Sequence, residues 1–282
     1  MFATPFSKEG ANTGKYYTRR VVGPFSYDWM TLSKLILDPK ASFAFNRYGD
    51  GEQAIISQEA INASQDNWKI EAGPSKISTD LAETLKNHRG QPFYYGFASI
   101  DSVESLEGFL IQTEQDLNYI TYANLFVNSN YGATKKLIDK LVDGKGGDVV
   151  IIAHEDGKAN SKKFKTLKQF MSVMCSLIQC QSEGPAWYEN NRDIVMDEWR
   201  AMAAKYTDTL FLVSCGPLAK VAVSVMWNTN PNNRYVDVGS SIDEVLKGSK
   251  TRSYMYDGNP LATRADPPWM IKDDGRVAFL DE

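Results

Sequence analysis

Short apolar segments alternate with helical segments along most of this chain, and this alternation constrains the fold more than any other feature. Strand-like runs at 149–153, 210–214 and 235–238 consist mainly of branched and aromatic residues. The segments 191–205 and 217–227 have apolar residues at helical spacing. This order predicts an α/β fold whose sheet is largely parallel and covered by helices on both faces.

Other segments fit the same order of elements. We expect further helices at 29–37, 52–57, 78–88 and 133–142, further strands at 42–45, 93–98, 119–127 and 171–179, and mostly loop at 60–75. No repeat, low-complexity tract or linker divides the chain. We therefore expect a single domain over residues 1–282, with its core at about 41–246 and peripheral arms at 1–28 and 248–282.

Composition and charge narrow the class of protein. The chain has 282 residues, of which 43% are hydrophobic and 23% charged, which is ordinary for a globular protein. Its net charge of −4 gives no general reason to bind a polyanion. Three cysteines without paired spacing favour a reducing compartment, and no apolar run has the length of a signal peptide core or a membrane span. We expect a cytoplasmic protein without a transmembrane segment.

The first candidate site is the segment FNRYGDGEQAII, which follows an apolar run and leads into a helix. Gly49 and Gly51 allow a sharp turn and a close approach of the backbone to a ligand. Asp50 and Glu52 could direct two carboxylates to one hard cation, while Arg47 could pair with a phosphate or hold a carboxylate. The alternative is a plain turn in which Asp50 caps the helix and Glu52 favours its dipole. Spacing alone favours that alternative.

The second candidate is the turn in SCGPLAKVAV, where a predicted strand leads into a helix. Gly216 suits the turn, and Pro217 suits the first helical position because its φ angle is fixed. The free N–H groups and the positive dipole end of this helix could hold a diphosphate, with help from Lys220. Ordinary packing of a strand against a helix gives the same pattern.

The third candidate is YVDVGSSID, in which Asp237 ends a strand and Gly239 begins a turn. Asp237 could accept hydrogen bonds from a ribose or sugar hydroxyl, whereas Ser240 or Ser241 could simply cap the helix that carries Asp243. Consecutive parallel strands end on the same side of a sheet, and open α/β sheets bind ligands at that edge. The second and third turns are therefore expected to lie together.

Several other kinds of site lack their sequence signature. His88 and His154 are the two histidines of the chain, too few for a histidine-rich metal site. The sequence contains no G-x-x-x-x-G-K-[ST], no G-x-G-x-x-G after a strand and no G-x-S-x-G. Neither an ATPase, a dinucleotide-binding protein nor a serine hydrolase is indicated.

The segments RYGDGE, SCGPLAKVAV and YVDVGSSID together resemble the GT-D-type glycosyltransferases, typified by bacterial enzymes that elongate glycans on serine-rich adhesins. The three segments occur here in the order and at the separation seen in that family, and the resemblance spans about residues 41–246. It implies a Rossmann-like, GT-D-like domain that binds a UDP-sugar and a divalent metal, usually manganese, through a D-x-E motif.

The resemblance also implies roles for individual residues. It assigns the binding of Mn²⁺, or alternatively Mg²⁺, to Asp50 and Glu52. It assigns catalysis to Asp50, Glu52 and Asp243. Nucleotide-sugar binding is assigned to Arg47, Gly49, Gly51, Gly216, Pro217, Lys220, Asp237, Gly239 and Ser240. The chain departs from the family pattern at Leu218 and Lys220, where small or hydroxyl-bearing residues are common, and at Ser240-Ser241, where a histidine often follows the glycine.

The function that the resemblance implies is metal-dependent transfer of a hexose or pentose from a nucleotide-sugar to a hydroxyl acceptor. The resemblance favours a UDP-sugar as the donor. The acceptor could be a glycan, a protein side chain or a modified nucleobase. Glu155, Asp156 and Asp243, and also Glu52, are candidates for the base. Two alternatives stay open: a non-catalytic nucleotide- or glycan-binding domain of the same fold, and a metal-dependent phosphoryl-transfer enzyme.

Overall fold

The computed structural model describes residues 25–63, 68–86, 88–98, 103–127, 130–173 and 184–256. Its strands are β1 (Phe43–Tyr48), β2 (Ile61–Ala63), β3 (Trp68–Ile70), β4 (Phe93–Phe97), β5 (Ile120–Tyr122), β6 (Val149–Ala153), β7 (Leu167–Ser172), β8 (Leu210–Ser214) and β9 (Arg234–Asp237). Seven of these strands form one sheet in the order β5-β4-β1-β9-β8-β6-β7. Every neighbouring pair in that sheet is parallel, which confirms the predicted fold class.

Helices connect the strands of this sheet. They are α1 (Phe25–Leu37), α2 (Asp50–Ile56), α3 (Lys76–Glu83), α4 (Val103–Thr113), α5 (Tyr131–Val142), α6 (Lys158–Ser161), α7 (Gly184–Lys205), α8 (Leu218–Thr229) and α9 (Asp243–Lys247). Among the described residues, none of these helices is both long enough and apolar enough to cross a membrane.

Burial explains why the central strands are easy to recognise in the sequence. All five residues of β6 are buried, as are four of the five residues of β8. Parallel strands covered on both faces have continuous apolar runs, and each fully buried Val, Leu or Ile side chain contributes about 1.5–3 kcal/mol. The predicted bounds 149–153 and 210–214 are confirmed for this reason.

Two predicted strands differ in extent from the observed ones. The strand expected at 171–179 overlaps β7 at Met171 and Ser172, and residues 174–179 lie outside the described residues. β7 lies at the edge of the sheet and is only partly buried, so it has no continuous apolar run. The strand expected at 119–127 ends at Tyr122, and the apolar residues after it form buried turns. The segment 60–75, expected to be mixed and rich in loop, contains the antiparallel pair β2 and β3.

The start of the predicted C-terminal arm packs against the body of the domain. Tyr254 and Met255 form a buried cluster with Val127 and Tyr131. The rest of that arm, and nearly all of the predicted N-terminal arm, lie outside the described residues. Residues 248–256 therefore contribute two side chains to a buried apolar cluster.

Candidate functional site

The three segments singled out in the sequence lie at the carboxyl edge of the sheet. β1 leads into α2, β8 leads into α8, and β9 leads into a 3₁₀ turn at Gly239–Ile242. β9 lies between β1 and β8 and is parallel to both, so all three strands end on the same side. This is the edge at which open α/β sheets bind ligands.

Lys220 joins all three segments through its ammonium group. Its Nζ atom lies 2.8 Å from Oε1 of Glu52 and 2.9 Å from Oδ2 of Asp237. The same atom donates to the backbone oxygen of Gly216 at 3.3 Å. An ammonium has three N–H donors, so these three acceptors match its full capacity.

Burial affects the pKa values of the charged side chains around Lys220. Lys220 is 5% exposed and Asp237 is fully buried. Burial alone raises the pKa of Glu52, but the ammonium of Lys220 outweighs it and holds that pKa below its ordinary value. Burial likewise lowers the pKa of Lys220, and the carboxylates of Asp237 and Glu52 reverse that effect and raise it. Glu52 and Lys220 are therefore both charged near neutral pH.

The helix cap at α2 differs from the one considered in the sequence. Gly49 is the residue before the helix, and its N–H donates to Oε2 of Glu52 at 2.9 Å. The expectation that Asp50 caps the helix is wrong, because Asp50 is already its first residue. Gly51 lies inside the same helix, and the side chain of Asp50 is outside the described part of the structure.

Arg47 lies against the turn after β9. Its backbone N–H donates to Oδ2 of Asp237 at 3.3 Å, and its Nε donates to the backbone oxygen of Ala123 at 2.5 Å. The guanidinium covers Gly239 so closely that a Cβ atom there would lie 1.9 Å from Nη1 of Arg47. Gly239 also has a φ angle of +51°, a conformation that favours glycine. The glycine therefore permits both the turn and the position of Arg47.

Asp237 organises these elements from the end of β9. Its Oδ1 atom accepts from the N–H of Gly239 at 3.0 Å, while Oδ2 accepts from Arg47 and Lys220. Both carboxylate oxygens therefore have protein donors, and the side chain is 1% exposed. This arrangement suits a residue that positions its neighbours.

The turn after β8 has the predicted local structure. Gly216 has a φ angle of +55°, and Pro217, at −60°, directly precedes the helix that begins at Leu218. The predicted helix start at Pro217 differs from this by a single position, within the usual uncertainty of helix ends. Asn46 of β1 also fixes this helix, because its Nδ2 atom donates to the backbone oxygen of Lys220 at 3.0 Å.

Sequence reasoning missed the contribution of residues 252–254. The hydroxyl of Tyr254 lies 2.8 Å from Oγ of Ser240. Burial lowers the pKa of Arg252, Tyr254 opposes that effect, and the charge of Arg47 adds to it. This part of the arm has no periodic pattern, so spacing gave no signal for it.

The candidate bases have protein partners of their own. Asp243 is 5% exposed, accepts from Oγ1 of Thr251 at 2.6 Å and lies 3.3 Å from Nζ of Lys247. Glu155 and Asp156 follow β6, which lies on the far side of β8 from the group around Lys220. Glu155 contacts Lys158, and Asp156 contacts His154. Burial raises the pKa of Asp156, and His154 reverses this and lowers it.

The described residues do not fit the metal site implied by the resemblance. The Lys220 ammonium occupies one oxygen of Glu52 and the N–H of Gly49 occupies the other. A divalent cation at Glu52 would be repelled by the ammonium beside that carboxylate. Within the described ranges, no group of three or more His, Cys, Asp or Glu side chains could hold a metal ion.

No family model matches this chain, and no curated protein matches it. A solved structure described as domain of unknown function 1792, substituted with selenomethionine, is 16% identical with a TM-score of 0.47, over 83% of this chain and 87% of that chain. A second, described as the highly conserved domain of unknown function 1792 with a distinct glycosyltransferase fold, is 15% identical with a TM-score of 0.47, over 81% of each chain.

A third solved structure is described as a new glycosyltransferase (DUF1792) from Streptococcus sanguinis. It is 16% identical, with a TM-score of 0.47, and the match covers 90% of this chain and 94% of that chain. The second and third of these descriptions mention a glycosyltransferase. With TM-scores below 0.5, the likeness transfers no activity to this chain, and its fold class rests on its own parallel sheet.

Proposed function

We propose that this protein is a glycosyltransferase that moves a sugar from a nucleotide-sugar donor to a hydroxyl acceptor. The resemblance favours a UDP-sugar as this donor. The observation that carries the proposal is the meeting of the three resembling segments at one carboxyl edge, joined by Lys220 to Glu52, Asp237 and Gly216. In open α/β sheets this edge is where nucleotides bind.

The charges at this edge support a diphosphate ligand. Arg47 lies at this edge, where its backbone N–H donates to Asp237, and guanidinium groups bind phosphate oxygens through paired hydrogen bonds. The tight turn at Gly239 allows the guanidinium of Arg47 to lie beside it. We assign Arg47 to the diphosphate, and Gly49, Gly51, Gly216, Pro217, Gly239 and Ser240 to the turns around it.

The proposed reaction forms one bond and breaks one. The oxygen of the acceptor hydroxyl bonds to the anomeric carbon of the donor, and its proton passes to a base. The bond from that carbon to the diphosphate breaks, and the diphosphate leaves with the electron pair. Fixed positive groups at the developing charge stabilise the transition state more than the ground state. Arg47 supplies such a group, while Asp237 holds its backbone in place.

The acceptor and the compartment are proposals as well. A glycan or another hydroxyl compound is the proposed acceptor, and the cytoplasm is the proposed compartment. The metal ion predicted at Asp50 and Glu52 stays a prediction. Because Lys220 already pairs with Glu52, the positive charge beside the diphosphate is assigned to residues of the chain itself.

A screen of UDP- and GDP-sugars for donor hydrolysis tests the function. Each sugar is incubated once with EDTA and once with MnCl₂, and the released nucleoside diphosphate is measured. We expect release from at least one donor and a loss of about tenfold or more in Arg47→Ala, equivalent to about 1.4 kcal/mol. Lys40→Ala is the control, because Lys40 is exposed and pairs with Asp208, which precedes β8 at the opposite edge.

The products separate this function from its alternatives. Release of inorganic phosphate in place of an intact nucleoside diphosphate would indicate phosphoryl transfer. Binding of a nucleotide-sugar without turnover in the presence of candidate acceptors would indicate the non-catalytic binding domain. Either result would contradict the proposal.

A further inference from the structure

The space between Glu52 and Asp237 is filled by a cation of the chain itself. The Nζ atom of Lys220 lies within 2.9 Å of an oxygen from each carboxylate. Glu52 comes from the first turn of α2, Asp237 from the end of β9, and the lysine from the first turn of α8. Lys220 thus joins three elements at the point where the sheet edge would receive a diphosphate.

The lysine is held in that position along its length. α8 is buried over most of its residues, and the side chain of Lys220 is 6% exposed. Its backbone oxygen accepts from Asn46 of β1, and its ammonium donates to the oxygen of Gly216. Moving the ammonium away would leave two buried carboxylate groups without their cation, which costs several kcal/mol.

The ammonium of Lys220 disfavours a divalent ion at these oxygens. A Mg²⁺ or Mn²⁺ ion bound to Glu52 or Asp237 would lie beside that ammonium. The ammonium would then face a second positive charge at short range in a poorly solvated site. Exchange of the lysine for a metal would therefore need displacement of the lysine from its three acceptors.

We propose that Lys220 is the resident cation of this site and that it takes the place of a divalent metal, so that the donor diphosphate binds without one. This inference rests on the proposed function. Lys220 neutralises Glu52 and Asp237, and Arg47, which donates to Asp237 through its backbone, then presents its guanidinium to the diphosphate. The backbone N–H of Arg47 and the Nζ atom of Lys220 both donate to Oδ2 of Asp237.

Calorimetric titration of the purified wild-type protein with UDP and with GDP tests this directly. Each titration is done in EDTA and in MnCl₂. We expect binding of at least one nucleotide with dissociation constants that agree within about threefold in the two buffers. A loss of tenfold or more in EDTA would overturn the role of Lys220 and leave the proposed function intact. No binding in either buffer would contradict the proposed function and the inference together.

Manganese binding, followed by the electron paramagnetic resonance signal of free Mn²⁺, provides a second test without nucleotide. Lys220→Ala removes the ammonium and leaves Glu52 and Asp237, so we expect it to bind Mn²⁺ at least tenfold more tightly than the wild type. Lys40→Ala, which removes an exposed lysine from the carboxylate of Asp208, is the control and should behave as the wild type. A folded Lys220→Ala that gains no affinity would overturn the inference. If the variant does not fold, the wild-type titration in EDTA decides.

Discussion

The Nζ atom of Lys220 lies 2.9 Å from Oδ2 of Asp237, and both side chains are almost fully buried. Replacing Asp237 with asparagine removes the negative charge and turns one acceptor into a donor. We expect Asp237→Asn to lower the free energy of unfolding by about 3 kcal/mol, because a buried charge loses a partner. Urea denaturation measures this loss.

The control for this change is Asp208→Asn. Asp208 also pairs with a lysine, Lys40, but these side chains are 44% and 79% exposed. Exposed ion pairs contribute at most about 1 kcal/mol, so the control should lose much less stability. Equal losses of stability in the two variants would show that the pair between Lys220 and Asp237 stabilises the fold no more than an exposed ion pair does.

Gly239 is the position at which a single methyl group should affect the site most. Gly239→Ala puts a side chain at a φ angle of +51° and displaces the guanidinium of Arg47. We expect a loss of about 1–2 kcal/mol in stability and at least tenfold weaker UDP binding, since Arg47 moves. Differential scanning calorimetry and isothermal titration measure the two effects.

Gly248→Ala separates strain from the displacement of Arg47. Gly248 has a φ angle of +72°, but a Cβ there would meet Nδ2 of Asn160 at an ordinary 3.6 Å. This variant should lose similar stability and keep its affinity for UDP. If both variants bind UDP like the wild type, Arg47 does not contact the diphosphate.

Asp28 gives the protein a pH-dependent stability that should be measurable. Burial raises the pKa of Asp28 to about 7, despite an opposing hydrogen bond from Thr121. The folded state therefore binds this proton more tightly than the unfolded state, and stability falls as pH rises from about 4 through 7. Asp28→Asn should thus be more stable than the wild type at pH 8 by a larger margin than at pH 5. Urea midpoints at the two pH values measure the margins, and equal margins would contradict the assignment.

His88 should show the opposite dependence. Burial lowers the pKa of His88 to about 3, and its ring nitrogens contact Tyr95 and Ser224. Because the unfolded state takes up this proton below about pH 6.5, stability falls as the pH drops from 6.5 towards 3. In nuclear magnetic resonance titration, the His88 ring signals should not shift between pH 8 and 5. The signals lost in His88→Gln identify them, and a midpoint near 6.5 would refute a buried neutral ring.

The sequence was most informative where burial and backbone geometry impose one type of residue. The apolar runs of β6 and β8 predicted those strands with their observed bounds, and the turns at Gly216 and Gly239 predicted where the sheet edge carries polar groups. The edge strand β7 was misplaced because partial burial leaves it no continuous apolar pattern.

The ion pairs of the site were harder to predict, because they depend on contacts between segments that are distant in the sequence. The sequence predicted that Lys220 helps to hold a diphosphate, but spacing could not place it between Glu52 and Asp237. Tyr254 belongs to a segment without periodicity, and its contact with Ser240 follows from tertiary packing alone.

The central claim is that the segments around Glu52, Lys220 and Asp237 form one nucleotide site. Hydrogen–deuterium exchange of the wild-type protein with and without saturating UDP tests it most directly. We predict slower exchange on UDP binding in peptides that cover 47–52, 216–220 and 237–243 together. Unchanged exchange in these three segments under conditions where UDP binds would contradict the claim.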